Sequence, residues 1–422
     1  MSFFARRPAP HEVFTPGAPP LEEHNVYVNR RQAEADLRKY LQRRQVPVVW
    51  GEYGVGKTTL VQRYFQDIDG DGRLVYIASV SGLTLSDIFR TILEHLDYAV
   101  TVESTTSSLV GVEGGLDFKL VRAVAKGETV ESHTRQLVVT APTDTGLNNL
   151  LREARVTVVL DEMHKASEEL RAAIADWIKA TRAGAGGFQL VLVGTSTDAG
   201  RLVSLDYGID RYIKEMPVDL MSDDEAEFIV EEGFRRLGLT VTSDLRVRVI
   251  RSAAGAPTII QSLCLDAAEA ALEAKRQNVT EDDLRTAVAS YLKENGGRLA
   301  DHYYRAIETT GPRRYRKQVL QAVARAANDY ATMEDVRTAV SESLGQEVPS
   351  TSLSGPLRDL KTAEYGKILK DVDREVSGTR IHNLTAFADP MMKSFVRFMN
   401  NLDESDLMPD APTRRVDGRA EL

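Results

Sequence analysis

Several things are scarce in this chain, and each scarcity removes a class of protein. Among 422 residues there is one cysteine, Cys264, so no intramolecular disulfide can form and a reducing, cytoplasmic compartment is the expected home. No run of eighteen apolar residues occurs, which argues against a membrane-spanning helix and a membrane partner. The first residues also lack the continuous apolar segment of a secretory leader. Positive charge is not in excess: 53 Lys and Arg stand against 62 Asp and Glu, a formal net charge of −9. The surface as a whole therefore cannot act as a basic nucleic-acid binder, and any such contact must come from a local patch. What the chain does have is 42% hydrophobic residues over a length that supports two or three domains with cores of their own.

Its most specific stretch is VVWGEYGVGKTTLV, Val48 to Val61. Gly51, Glu52, Tyr53, Gly54, Val55, Gly56, Lys57, Thr58 and Thr59 follow an apolar run and lead into a helical pattern at 57–66. This is the spacing of a phosphate-binding loop. Glycines let the backbone curl so that its N–H groups face phosphate oxygens, and the following helix presents its positive end. Lys57 is expected to reach the β- and γ-phosphates of ATP, and the Thr58 hydroxyl to bind Mg²⁺.

Strand-like runs recur at 46–50, 73–79, 155–160, 188–193 and 212–218, with helical patterns at 30–43, 57–66, 84–97 and 165–182. Such alternation implies a parallel sheet covered on both faces by helices. Residues 1–22 are proline-rich and read as a flexible arm, and residues 401–422 as a disordered tail. The stretch Asp67, Asp69, Asp71, Gly72 begins like a calcium loop, but Ala78 stands where a bidentate Glu is needed, so an acidic turn before a strand is the better reading. A second chemical motif closes the strand VTVVLDEMHK, Val156 to Lys165. Asp161 is positioned to hold Mg²⁺ beside Thr58, and Glu162 to act as general base on the attacking water.

The P-loop, this acidic strand end and FQLVLVGTST together resemble the AAA+ ATPase superfamily over about residues 24–295. The resemblance implies a core at 23–220, a helical lid at 221–300, and ATP with Mg²⁺ as cofactors. It implies a γ-phosphate sensor at Thr195, with Ser196 as the alternative. It also implies an arginine finger at Arg211, with Arg201 second, acting in trans on a neighbouring subunit's nucleotide and hence in a homo-oligomer. VYVNRRQAEADLRKYL is similar to the segment that lies against adenine, which brings in Arg30, although Asn29 replaces the usual glycine before it. Gly255-Ala256-Pro257 resembles the lid of STAND-type relatives and brings in Pro257; the arginine that initiator-type relatives carry near this turn is missing. The distance from Lys57 to Asp161 exceeds what a minimal core needs, and residues 101–146 read as a β-hairpin-like insertion.

From residue 301 to 400 three helices and two strands joined at Ser377-Gly378 read as a winged helix-turn-helix. Pro356 is expected to shorten or kink the third helix or to open it. Between Gly311 and His382 twelve Lys/Arg face ten Asp/Glu, a weak balance for a phosphate binder. The candidate DNA contacts are Arg313, Arg314, Arg316 and Lys317 for the backbone and Arg358 and Lys361 for the groove. The resulting expectation is an α/β AAA+ ATPase that switches conformation or oligomeric state in a process associated with double-stranded DNA, of initiator, loader or transposition type. The alternative is a STAND-like scaffold whose winged helix docks an unidentified protein. A DEAH-type helicase, suggested by DEMH and GTS, would need a second parallel-sheet domain after residue 222.

Overall fold

The computed structural model describes residues 7–68, 73–96, 98–103, 116–124, 131–139, 145–182, 188–195, 208–308, 315–326, 328–376 and 379–401. They form two compact units. A sheet unit holds Pro19–Leu21 and Asn29–Asp219; a helical unit holds the residues up to Ala18, Glu22–Val28, and the chain from Leu220 onward. The elements up to the end of the sheet unit are α1 (Pro10–Val13), α2 (Arg31–Gln42), β1 (Val46–Gly51), α3 (Lys57–Ile68), β2 (Arg73–Ala78), α4 (Leu85–His95), β3 (Tyr98–Glu103), β4 (Leu116–Val124), β5 (Glu131–Val139), α5 (Thr145–Glu153), β6 (Val156–Asp161), α6 (Glu168–Arg182), β7 (Gln189–Thr195) and β8 (Ile213–Pro217).

Five strands make one sheet in the order β2-β6-β7-β1-β8, and every neighbouring pair is parallel. Strands buried on both faces need near-continuous apolar sequence, and β6 and β7 supply it in VTVVLD and QLVLVGT. Register brings the strand ends level: Ala78 lies opposite Asp161, and Gly51 opposite Thr195. The core on this sheet is anchored by Trp177, fully buried, edge-on to Phe89 at 5.0 Å. Its indole N–H finds Asn148 Oδ1 at 3.3 Å, as a buried indole must. Between α4 and α5 the expected hairpin is an antiparallel sheet of three strands, β3-β4-β5, with Leu116 paired to Val139 and Tyr98 to Arg122. The calcium-like stretch gives way to β2 at Arg73, with Asp69, Asp71 and Gly72 outside the described residues.

The helical unit continues with α7 (Asp223–Arg236), α8 (Ser243–Ala253), α9 (Pro257–Glu273), α10 (Glu281–Ile307), α11 (Arg316–Arg325), β9 (Tyr330–Ala331), α12 (Met333–Leu344), α13 (Ser350–Asp359), β10 (Leu369–Val376), β11 (Thr379–Phe387) and α14 (Pro390–Asn401). Capping chemistry fixes the starts: Ser222, Thr280 and Thr332 each form a reciprocal box with the acid three residues on. Gly345, at φ 64°, ends α12 in the left-handed conformation that glycine adopts most cheaply. One hydrophobic cluster runs from Ile229 and Leu263 through Leu299 to Leu353 and Phe395. The expected boundary at residue 300 therefore falls inside α10, whose apolar face serves both groups of helices. The three strands here are antiparallel, in the order β10-β11-β9. Among the described residues after 222 there is thus no second parallel sheet of the kind a helicase requires. Pro356 sits in the interior of α13, where it is buried.

The reading of residues 1–22 as a flexible arm is corrected for the stretch around α1. Val13 and Phe14 are fully buried, and Phe14 packs edge-on against Phe234 at 5.5 Å. Gly233 makes room for it, since a Cβ there would lie 2.2 Å from the Phe14 ring. The buried Gln261 side chain accepts from the Thr15 N–H at 3.0 Å and donates to the Val26 carbonyl at 3.2 Å. Arg236 donates to the carbonyls of His24 and Asn25. Proline content suggested extension; the two apolar residues after it supply the burial that holds the segment down. Residues beyond 401 and before 7 lie outside the described set.

Two outcomes follow from this packing. Phe14→Ala should cost about 3–5 kcal/mol in denaturant unfolding of the helical unit, as emptying a buried aromatic site does; a loss under about 0.5 kcal/mol would show the segment unattached. The second concerns Asp283, whose carboxylate accepts from both terminal nitrogens of Arg276, at 2.7 and 2.5 Å. That pairing holds its pKa down to about 2, below the ~3.9 of an unfolded chain. The folded state binds fewer protons between these values, so the pair's stabilisation is full above about pH 4 and is lost as pH falls toward 2. Asp283→Asn should flatten that acid limb and cost about 1–2 kcal/mol at neutral pH; urea titrations across pH 2–5 check it, and an unchanged limb would refute it.

Candidate nucleotide site

The five strands of the parallel sheet end on one edge, where ligands of open parallel sheets bind. The loop between β1 and α3 turns there through Gly54 and Gly56, at φ 79° and 89°, a conformation that side chains resist. Gly51 is required by space: a Cβ would lie 2.3 Å from the Val218 carbonyl. Val55 plugs into the core at 1% exposure while Tyr53 stands out at 61%. The loop is held from behind by Arg30. That side chain is buried, and it donates to the carbonyls of Val55 at 3.2 Å and Asp219 at 2.8 Å. Arg30 thus supports the backbone of the loop.

Lys57 opens α3 and is 92% removed from solvent at 8% exposure. Its ammonium donates to the Glu52 carbonyl at 2.6 Å. Burial pushes its pKa down, and the nearby carboxylates of Asp161, Glu162 and Glu52 oppose that shift. A desolvated cation at the mouth of an N–H-lined loop is the counterpart of a phosphate. One residue on, the Thr58 hydroxyl donates to Asp161 Oδ2 at 2.6 Å. The Tyr76 hydroxyl, from the neighbouring strand, donates to the same oxygen. Burial and the adjacent Asp161 carboxylate keep that phenol protonated. A hydroxyl and a carboxylate side by side suit a hard, oxygen-seeking cation such as Mg²⁺, which takes one or two protein ligands and keeps its waters. The donor set and the loop therefore fit Mg-ATP.

Asp161 Oδ1 accepts the Glu162 N–H at 2.6 Å. Glu162 itself is in the left-handed region, φ 57° and ψ 31°, a conformation that costs a side-chain-bearing residue about 1–2 kcal/mol. A 3-10 turn over Met163–Lys165 follows, where the sequence pattern had placed the start of α6. It brings Lys165 Nζ to 2.8 Å and His164 Nε2 to 3.4 Å from Glu162 Oε2. Thr195 ends β7 opposite Gly51, and its N–H donates to His164 Nδ1 at 3.2 Å. Tyr76, His164 and Lys165 are the participants that sequence reasoning missed. The last two stand inside the quoted motif; Tyr76 becomes visible only when β2 is aligned on β6.

Other expected residues lie elsewhere. Arg211 is exposed and stacks on the Tyr212 ring at 4.6 Å. The Tyr212 carbonyl takes the Val46 N–H at 2.8 Å, so Arg211 stands at the start of β8. At about 3.3 Å per residue along β1, that is the opposite end of the sheet from the loop, out of reach of the chain's own nucleotide. Ser196 and Arg201 lie outside the described residues. Pro257 opens α9 in the helical unit. Among the DNA candidates, Arg316 is corrected: it is buried at 5% exposure, donates to the carbonyls of Ala306 and Glu308, pairs with Asp359 at 3.7 Å and stacks on Tyr365. A guanidinium so enclosed holds helix ends together and offers nothing to a phosphate. Lys361 is tied to Asp371 at 2.5 Å, Lys317 is half-buried and bonded, Arg358 is exposed on α13, and Arg313 and Arg314 lie outside the described residues.

The model of the AAA domain family matches residues 38–202. No curated protein matches the chain. Among solved structures, a Walker-type ATPase of Pyrococcus abyssi is similar with a TM-score of 0.50 at 16% identity, over 90% of this chain and 98% of its own. Cdc6p from Pyrobaculum aerophilum follows at 0.41 and 16%, over 92% and 98%. The ORC1 protein of Aeropyrum pernix, in complex with DNA, is at 0.41 and 13%, over 95% and 96%. At these identities the first likeness speaks for the fold alone, and the weaker two carry no argument. The family match covers the stretch that contains the loop, the acidic strand end and β7: over residues 38–202 the chain is similar to the AAA domain family.

Proposed function

We propose that the chain binds Mg-ATP at the edge formed by β1, β6 and β7, hydrolyses it through Glu162, and uses the cycle to switch conformation or assembly state. The observation that carries this reading is the meeting of the Thr58 hydroxyl with Asp161 at 2.6 Å, beside a buried Lys57. When bound, Mg²⁺ would neutralise charge on the phosphates. Thr58 and Asp161 hold the cation's position, and the loop N–H groups and Lys57 orient the phosphates. Glu162 takes the proton of the attacking water at its carboxylate, and Thr195, level with the loop, contacts the terminal phosphate. Arg211, at the far end of the sheet, serves a neighbouring subunit's nucleotide.

Residues 316–387 we read as a winged helix, with α13 as the helix that meets a partner and β10–β11 as the wing. Ser350, Thr351, Ser352 and Arg358 are exposed on α13, which suits contacts to a DNA backbone and groove edge. The commitment of Arg316 and Lys361 to internal partners favours the second reading, a protein-docking module, because it removes two of the six candidate cations.

Lys57→Ala should lose nucleotide binding, whereas Glu162→Gln should bind ATP and hydrolyse it at least about 100-fold more slowly, as loss of a general base entails. Fluorescent-nucleotide titration and phosphate release separate the two, and wild-type turnover in Glu162→Gln would remove the base assignment. Arg211→Ala should slow turnover roughly 10³-fold, and mixing it with Lys57→Ala protein should restore part of it. Concentration-independent turnover by a monomer would refute action in trans. For the partner, a salt titration of duplex binding by wild type and Arg358→Ala decides: each lost phosphate contact lowers the salt slope by about one, and absence of binding at low salt with ATP present assigns the module to protein docking.

A further inference from the structure

The turn after β6 holds a side chain that neither the phosphates nor the cation accounts for. His164 is about one-third exposed and makes one hydrogen bond and one charge contact. Its Nδ1 accepts the Thr195 N–H at 3.2 Å. A ring nitrogen that accepts carries no proton, so the neutral ring has its proton on Nε2. That nitrogen is the one 3.4 Å from Glu162 Oε2. The imidazole therefore spans from the backbone at the end of β7 to the carboxylate of Glu162.

We propose that His164 is a positioning residue for Glu162, transmitting the place of the β7 end to the carboxylate. The proposal rests on the reading of Glu162 as the base. Two features make a positioner necessary. Glu162 has a left-handed backbone, which local preference does not maintain. In addition, its Oε2 has a competing partner in Lys165, at 2.8 Å and 53% exposed. A carboxylate pinned by a flexible ammonium is a poorer base than one oriented by a neutral donor. The planar ring stands 3.4 Å from the carboxylate and refers its place to a strand whose last residue is in register with Gly51 of the phosphate loop. The link uses the backbone of Thr195, so replacing that side chain leaves it intact. His164 acts only through Glu162.

The test compares three variants with wild type. His164→Phe keeps the ring and removes the hydrogen bond from Thr195 and the Nε2–Oε2 contact; its kcat should fall at least about tenfold with KM for ATP within about twofold, the pattern of a lost transition-state interaction. His164→Gln offers an acceptor and a donor on one planar group and should stay within about threefold of wild type. Glu162→Gln, assayed alongside, tests the base reading by itself. A dead Glu162→Gln with a fully active His164→Phe overturns the positioning role alone, and a fully active Glu162→Gln overturns both. A readout independent of turnover is the long-range ¹H–¹⁵N spectrum of the nucleotide-free, histidine-labelled protein, with His164 assigned among the seven histidines by its absence in His164→Gln. An Nε2–H tautomer is expected, and an Nδ1–H tautomer refutes the geometry even if the Phe variant fails to fold.

Discussion

Parallel hydrogen bonding between β1, β6 and β7 is the constraint on which the site depends. Because the three strands run the same way in fixed register, their carboxyl ends arrive together, and groups more than a hundred residues apart in sequence come within hydrogen-bond distance. A slip of one residue in either pairing would turn Asp161 to the other face of the sheet, since side chains alternate. The contact of Thr58 with Asp161 is the visible result. The same pairing places Thr195 level with Gly51 and within reach of His164. Burial of both faces by apolar helices is what makes the register rigid enough to matter.

The polar groups at this edge are costly to keep. Lys57 is desolvated, Glu162 is in an unfavourable backbone region, and Tyr76 and Thr58 converge on one carboxylate oxygen. None of this stabilises the fold by local preference; it persists because the surrounding sheet dictates it. Arg30 is part of that support, tying the loop's Val55 carbonyl to the residue at which the sheet unit ends.

The alternation of apolar strands and helical patterns was enough to read the sheet, and glycine spacing enough to read the loop. Boundaries moved by a residue or two, and the start of α6 shifted because Met163–Lys165 closes a tight turn that the helical pattern does not distinguish. What escaped has a common physical cause. Tyr76, His164 and the enclosure of Arg316 depend on which elements become neighbours, and residue type alone carries no information about that. Arg316 shows the point: in sequence it belongs to a basic cluster, yet in space it caps the carbonyls at the end of α10 and balances a buried Asp359. Prolines dominate the composition of the segment around α1, while two residues, Val13 and Phe14, decide its placement.

That segment has a consequence for how the protein is made. Phe14 leaves the ribosome well before its partner Phe234, which is synthesised about 220 residues later. At the ~5–20 residues per second of translation, the two rings are separated by roughly ten to forty seconds. The whole sheet unit is made in the interval. The nascent chain therefore carries an uncovered apolar anchor throughout the synthesis of the sheet unit.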